Sequence, residues 1–236
     1  MIGLGTLINV GAIIIGGLLG LFLGRNVKVR YQDILMIAVG ICVLMLGIGG
    51  TMEQMLSITD GRLASGGSMM LIITMAVGAL AGEWMNIEKK MEQFGVWLKK
   101  KTGSNGDNAF VTTSLTVCIG AMAVVGAIQD GIYGDYSILA AKAILDLIIV
   151  FIMTASMGKG CILSAIPVGI FQGLVTLLAR LIEPFMTEAA LSNLSFVGSV
   201  LLFCVGVNLV WGKKVKVANL LPAILLAVLW SFAPWA

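Results

Sequence analysis

Apolar residues fall into long blocks separated by short polar segments, and the first block sets the pattern. Residues 4–23 carry no charge, and the first cations, Arg25, Lys28 and Arg30, come directly after them. A helix that crosses a bilayer needs about 20 residues of this kind. Because a cleaved signal sequence carries its cations before the apolar run, we expect a retained span whose following loop is cytoplasmic.

Seven further apolar blocks follow, and we number all of them as spans 1–8 in chain order. They cover residues 34–50, 69–85, 108–128, 137–157, 161–181, 196–211 and 218–233. The pattern predicts an all-α integral membrane protein with about eight transmembrane helices, which form a single transmembrane domain over residues 1–236.

The positions of the basic residues give a separate test of this topology, because Lys and Arg collect in cytoplasmic loops. Twelve of the fifteen lie after spans 1, 3, 5 and 7, whereas the opposite loops hold mostly carboxylates. This alternation agrees with eight spans and predicts that both termini lie outside. Lys142 is an exception, since it falls within span 5.

An amphipathic segment separates spans 3 and 4. Over residues 87–101, Ile87, Met91, Phe94 and Leu98 recur at helical spacing, with lysines on the other side. This pattern predicts a helix that rests on the anionic cytoplasmic face of the membrane. A docking site for a cytoplasmic partner is the alternative.

Span 5 places two opposite charges inside the membrane. Lys142 and Asp146 are four residues apart and therefore lie on one helical face, where they can pair. At 1.5 Å per residue they lie about 8 and 14 Å from the outer end of the helix. Each charge at that depth costs about 2.5–3.5 kcal/mol, so we expect a solute or ion pathway. A buried pair that only locks helices together is the alternative.

Further polar residues precede and follow this pair. Asp130 and Asp135 follow span 4 near the outer mouth, where they extend the predicted pathway unless they are merely solvated. In span 6, Pro167 should interrupt the helix before Gln172, which lies near mid-depth. A kink that contacts no ligand is the alternative. Asn9 in span 1 is more typical of a hydrogen bond between helices.

Span 1 and span 6 share a short recurrence. Val10-Gly11 and Val39-Gly40 return 158 residues later as Val168-Gly169 and Val197-Gly198. Spans 1–3 and 6–8 could therefore form an inverted repeat around a central helix pair, a layout found in secondary transporters. Chance recurrence in glycine-rich helices is the alternative.

The composition argues against several classes of function. Charged residues make up 11% of the chain and hydrophobic residues 59%, whereas soluble domains have about 25% charged residues. With no histidine and four isolated cysteines, we expect no enzyme activity, cofactor or metal site. The thirty glycines, including Gly16 and Gly20 at GxxxG spacing, favour closely packed helices in a monomer or a homodimer.

The segment from Gly120 to Asp146 contains the pattern G-x-I-Q-D-G, then G-D, then K-x-x-x-D. Together with ASMGKGCILSAIPVGIFQG and KKVKVANLLPAI, it resembles the YdfK/YqgA-like family of bacterial inner-membrane proteins over essentially the whole chain. The family has no established function, and some members are described as transporters. The resemblance implies a multi-pass protein of the bacterial inner membrane and marks Gln129, Asp130, Gly131, Asp135, Lys142 and Asp146.

We therefore predict a transporter of a small solute or ion across the bacterial plasma membrane. No nucleotide-binding motif is present, so transport would run on gradients. A passive ion channel is one alternative, and a non-transporting scaffold or sensor that acts through its basic helix is another. The expected partners are the lipid bilayer, a small solute or ion and a second copy of the chain, with no nucleic acid.

Overall fold

The computed structural model describes residues 2–23, 29–59, 61–90, 93, 108–118, 121–185 and 187–232. Helices make up most of this part of the chain. They are α1 (Leu4–Leu23), α2 (Val29–Met55), α3 (Ser68–Met85), α4 (Asn108–Cys118), α5 (Ala121–Tyr133), α6 (Ser137–Met157), α7 (Ala165–Ile182), α8 (Glu188–Trp211), α9 (Val217–Leu220) and α10 (Pro222–Trp230). Two 3-10 helices, Lys159–Ser164 and Glu183–Phe185, lie on either side of α7.

Within the described residues, five helical segments are long and apolar enough to cross a membrane. They are Leu4–Leu23, Ser68–Met85, Ser137–Ala155, Lys159–Ile182 and Glu188–Trp211, and the shorter apolar helices Gly40–Met55 and Val217–Trp230 accompany them. The prediction of a mostly helical chain with several candidate membrane spans is thus confirmed, with counterparts of spans 1–3 and 5–8. Span 4 corresponds to α4 and α5, and residues 119–120 between them lie outside the described chain. The total of eight spans and the orientation of the termini stay predictions.

A β-hairpin joins α2 to α3, so the all-α prediction was incomplete at this point. Strands β1 (Leu56–Thr59) and β2 (Arg62–Ser65) pair antiparallel, with Thr59 opposite Arg62. Gly61 has φ 72°, a left-handed conformation that the tight turn requires and glycine adopts without strain. The Asp60-Gly61 dipeptide is typical of such a turn. The apolar blocks, from which the spans were predicted, do not indicate a hairpin.

Pro167 does not break span 6 in its interior, and that prediction was wrong. The residue lies in the first turn of α7, directly after the 3-10 helix Lys159–Ser164. The first N–H groups of a helix have no partner within it, so proline removes no hydrogen bond there. The predicted amphipathic helix over residues 87–101 lies mostly outside the described residues, although residues 87–90 are helical.

The chain divides into two compact units. Unit 1 consists of Met1–Val39 and Lys89–Glu183, and unit 2 consists of Gly40–Glu88 and Pro184–Ala236. The boundary near Gly40 falls within α2, which contributes its first part to unit 1 and the remainder to unit 2.

Unit 1 is built around α1. Three of its glycines lie against α6, in the pairs Gly5–Leu139, Gly16–Leu147 and Gly20–Phe151. Because residue numbers rise together along both helices, α1 and α6 run parallel. Val10 instead faces Gly169 and Asn9 faces Gln172, so α7 runs antiparallel to α1. These relative directions agree with the alternation predicted for spans 1, 5 and 6.

Small residues also let the helices of unit 2 pack closely against one another. Three glycines of α2 lie against α8 in antiparallel order, in the pairs Gly40–Leu209, Gly47–Phe203 and Gly50–Ser199. In the same way α3 packs against α9 and α10, where Gly78 meets Ala223 and Gly82 meets Asn219. Glycine lets the helix backbones approach closely, which is how helices associate where lipid gives no hydrophobic driving force.

Two glycines of α1 allow a matched test of this packing. A methyl carbon at Gly16 would lie 2.9 Å from Leu147 Cα, whereas a methyl carbon at Gly11 would have no heavy atom within 4 Å. We expect Gly16→Ala to destabilise the fold by about 1–3 kcal/mol through overpacking. Gly11→Ala should be neutral or stabilising by up to about 1 kcal/mol, because alanine favours the helix. Thermal unfolding in detergent measures both, and equal midpoints for the two variants would contradict the proposed α1–α6 contact.

Candidate functional site in unit 1

Lys142 and Asp146 lie on successive turns of α6 and form an ion pair. Both are buried, with 5% and 2% of their surface exposed. The pairing that the four-residue spacing predicted is therefore confirmed. An ion pair removed from water is stable only when further polar groups satisfy its hydrogen bonds, since desolvation of each charge costs several kcal/mol.

The backbone of α4 supplies one of these groups. Lys142 Nζ donates a hydrogen bond to the carbonyl oxygen of Val117, at 2.8 Å. Val117 lies in the last described turn of α4. The ammonium group is thus held by a carboxylate on its own helix and by a backbone carbonyl of another.

Two amide side chains complete the junction on the carboxylate side. Asn9 of α1 donates through Nδ2 to Asp146 Oδ2 at 2.9 Å and to Gln172 Oε1 of α7 at 3.3 Å. Neither amide has any exposed surface. The four side chains and the Val117 carbonyl therefore join α1, α4, α6 and α7, and we refer to Asn9, Lys142, Asp146 and Gln172 as the polar junction.

Apolar side chains border the polar junction. A buried cluster in unit 1 contains Ile13 of α1, Val117 of α4, Val150 of α6 and Val168 of α7. Ile13 is one helical turn from Asn9, and Val150 and Val168 are each one turn from a member of the junction. These surroundings have a low dielectric constant, so each charge and each hydrogen bond in the junction has a larger energetic effect than at a surface.

Several buried polar atoms of unit 1 have no hydrogen-bond partner in the protein. Within the described part of the chain these side-chain atoms are Thr6 Oγ1, Asn9 Oδ1, Thr113 Oγ1, Ser114 Oγ, Thr154 Oγ1, Gln172 Nε2 and Thr176 Oγ1. All seven belong to unit 1. Buried polar groups are normally satisfied, so a concentration of exceptions in one region requires an explanation.

Unit 2 satisfies its buried hydroxyl groups within its own helices. Thr74 donates to the carbonyl of Met70 at 2.8 Å, and Ser199 donates to that of Ser195 at 2.9 Å. These are the usual bonds of Ser and Thr to the preceding helical turn. The threonine residues of unit 1 that lack a partner also lie in helices, so helical position alone does not explain the difference.

The unpartnered atoms follow the helices on both sides of the polar junction. Thr6 lies nearly one turn before Asn9 on α1, and Thr176 lies one turn after Gln172 on α7. Because α1 and α7 are antiparallel, both threonines extend the junction toward the same end of unit 1. Thr113 and Ser114 lie one turn before Val117 on α4. Unpartnered groups therefore lie on both sides of the ion pair.

The three remaining predicted site residues lie near the start of α1 and α6. Asp130 is fully buried and accepts hydrogen bonds from the backbone N–H groups of Gly3 and Gly5, both at 3.2 Å. A carboxylate at this position satisfies free N–H groups at the start of α1 and complements the positive end of the helix dipole. Gln129 is buried beside it on α5.

Asp135 is exposed and serves the start of α6. Its Oδ1 accepts bonds from Ser137 N at 2.9 Å and Ser137 Oγ at 2.6 Å. Of the six predicted residues, the structure therefore joins Lys142, Asp146 and Gln172 in one network. Asn9, which the sequence predicted to bond between helices, belongs to the same network.

Thr6, Asn9 and Thr176 were not among the predicted site residues, although the sequence carries a signal for them. Thr6 and Asn9 lie three residues apart on α1, and Thr176 lies four residues after Gln172 on α7, so each pair marks one face of an otherwise apolar helix. This polar face was a usable signal.

Among the described residues, no group of three or more Asp, Glu, Cys or His side chains is placed to hold a metal ion.

Two threonines provide a matched test of the unpartnered hydroxyl groups. Thr176 in unit 1 and Thr74 in unit 2 are similarly buried, but only Thr74 donates a hydrogen bond. We expect Thr176→Val to stabilise the protein by about 1 kcal/mol or more, because an unsatisfied buried group is removed. Thr74→Val should destabilise it by about 0.5–1.5 kcal/mol. Thermal unfolding midpoints in detergent compare the two, and a destabilised Thr176→Val variant would show that its hydroxyl group is bonded within the protein.

Two proteins resemble this chain over nearly their whole length. The "Uncharacterized membrane protein YdfK" of Bacillus subtilis (strain 168) is 30% identical over 222 residues, which cover 94% of this chain and 93% of that protein. The "Uncharacterized protein YqgA" of Escherichia coli (strain K12) is 29% identical over 233 residues, which cover 95% and 94%. No solved structure significantly matches the chain. Residues 4–232 match the family described as "Protein of unknown function (DUF554)", and the chain therefore belongs to this family.

Proposed function

We propose that this membrane protein is a gradient-driven transporter of a small solute or ion across the bacterial plasma membrane, with its site at the polar junction. One observation carries the proposal. A buried Lys142–Asp146 pair connects four helices and is bordered by polar atoms that have no partner in the protein.

The energetic argument distinguishes a binding site from helix packing. Leaving a buried polar group without a partner costs about 1–3 kcal/mol. Apolar residues of similar volume would often pack as well as a buried ion pair or better. A junction that served only to hold helices together would therefore be more stable with valine or leucine at several of these positions. Unpartnered polar groups favour a ligand that completes their hydrogen bonds.

The geometry suggests how the junction could respond to a gradient. A proton or cation that binds Asp146 weakens its attraction for Lys142 and competes for the hydrogen bond from Asn9. Lys142 keeps the Val117 carbonyl as a partner, so the ammonium group is not left unpaired. Since the affected contacts join α1, α4, α6 and α7, occupancy of one carboxylate would shift the balance between two helix arrangements. Transport would need no catalytic step and no cofactor.

The helix pairings support the inverted repeat. Counterparts of spans 1 and 6 pack antiparallel in unit 1, and those of spans 2 and 7 and of spans 3 and 8 do so in unit 2. An offset of 158 residues maps the contact of Gly47 with Phe203 onto residues 205 and 45. This lies next to the contact of Gly206 with Leu44. Such reciprocal contacts are typical of a pseudo-twofold axis, and inverted repeats are common in secondary transporters.

Flux measurements in proteoliposomes test the proposal. Vesicles loaded with a pH-sensitive dye receive Na⁺, K⁺, proton or solute gradients, and radiolabelled solutes report accumulation. We expect flux in the wild type and a loss of about tenfold or more in Asp146→Asn. This variant keeps the shape of the side chain but loses a charge-assisted hydrogen bond worth about 1.5–3 kcal/mol.

A lysine–carboxylate pair outside the polar junction gives the control. Glu83 bonds Lys216 at 2.6 Å and Asn219 at 2.7 Å at the end of α3, and Glu83→Gln should keep wild-type flux. Equal flux in the wild type and Asp146→Asn would remove the junction from the pathway. Flux that never accumulates solute against its gradient would identify a channel. No flux under any gradient would favour a scaffold or sensor.

A further inference from the structure

The two amides of the polar junction offer complementary groups to a third molecule. Asn9 uses its Nδ2 group on Asp146 and Gln172, and Gln172 uses its Oε1 atom on Asn9. Asn9 Oδ1, which only accepts hydrogen bonds, and Gln172 Nε2, which only donates them, are left without a partner. Both side chains are fully buried. A molecule that both donates and accepts hydrogen bonds would satisfy the two atoms.

The junction carries no net charge that would attract a solute ion. Lys142 and Asp146 form a neutral pair, and Asp130, which is also buried, accepts hydrogen bonds from backbone N–H groups at the start of α1. An ion beside the amides would lose its hydration without a net opposite charge to replace it. The desolvation of a buried ion costs several kcal/mol, so an uncharged solute fits these surroundings better.

The helix contacts around the amides limit the size of the ligand. A methyl carbon at Gly169 would lie 3.1 Å from Val10, next to Asn9, and one at Gly131 would lie 2.6 Å from the carbonyl oxygen of Thr176. Helices this close exclude a large ligand. The unpartnered hydroxyl groups of Thr6 and Thr176 can each donate or accept a further bond.

We propose that Asn9 and Gln172 bind a small uncharged molecule that carries both a hydrogen-bond donor and an acceptor, as a primary amide does. Thr6 and Thr176 extend the same site along α1 and α7. The inference deepens the proposed function, because it takes the bound molecule to be the transported solute. Lys142 and Asp146 then serve as the coupling pair beside the solute and not as its ligands.

Thermal unfolding of the purified full chain in detergent tests binding apart from transport. Acetamide is the uncharged probe, and NaCl and KCl are the ionic probes. At about ten times its Kd, acetamide should raise the midpoint by about 3 °C or more, with saturation. A cosolvent effect would not saturate. The shift should disappear in Gln172→Met and persist in Gln54→Met, a matched change in unit 2 where Gln54 accepts a bond from Ser192.

Thr176→Val gives a second variant that does not depend on the folding of Gln172→Met. It should raise the acetamide concentration at half-saturation by about threefold or more, because one hydrogen bond is lost. A saturable shift with Na⁺ or K⁺ that requires Gln172 would overturn the inference in favour of an ion. Lack of a saturable shift with acetamide would also overturn it, since water alone would then satisfy these groups.

The outcomes separate this inference from the proposed function. Saturable acetamide binding that depends on Gln172, with no flux in proteoliposomes, would support the site and contradict transport. Ion flux that is lost in Asp146→Asn, without acetamide binding, would support transport and overturn the uncharged ligand. Radiolabelled acetamide uptake that is lost in Gln172→Met and kept in Gln54→Met would support both.

Discussion

Burial of Lys142 and Asp146 is the constraint on which the rest of unit 1 depends. Two charges inside an apolar cluster are stable only with partners on every side, and those partners come from four helices. Helix α4 supplies the Val117 carbonyl, and α1 supplies the Asn9 amide. Gly16 and Gly20 allow α1 to pack closely against α6. The close packing of α1 and the hydrogen bonds of the ion pair therefore act together.

The two units solve the problem of polar groups in a membrane differently. In unit 2, Thr74 and Ser199 bond to their own helices, and its ion pairs lie toward helix ends, as at Glu83 and Lys216. Unit 1 keeps its charges in the interior and leaves hydroxyl and amide groups without partners. This difference is the reason for placing the proposed site in unit 1.

The sequence predicted those features that depend on neighbouring residues. The four-residue spacing of Lys142 and Asp146 predicted their pairing, and the apolar blocks predicted α1 and α6 with the bounds observed. Features that depend on contacts between distant segments were not predictable. The bond between Asn9 and Gln172 spans 163 residues, and Asp130 caps a helix 125 residues before it. The Val117 carbonyl belongs to the backbone, so no residue type could have marked it.

Transport, and not helix packing, is the role proposed for the Lys142–Asp146 pair. Replacing both charges in one variant, Lys142→Met with Asp146→Leu, separates the two roles, because no unpaired charge remains. The measurement is gradient-driven flux in proteoliposomes, on protein whose thermal unfolding shows that it is folded. We expect a folded protein with a midpoint near or above that of the wild type and with no flux. A folded double variant with wild-type flux would show that transport does not depend on the pair.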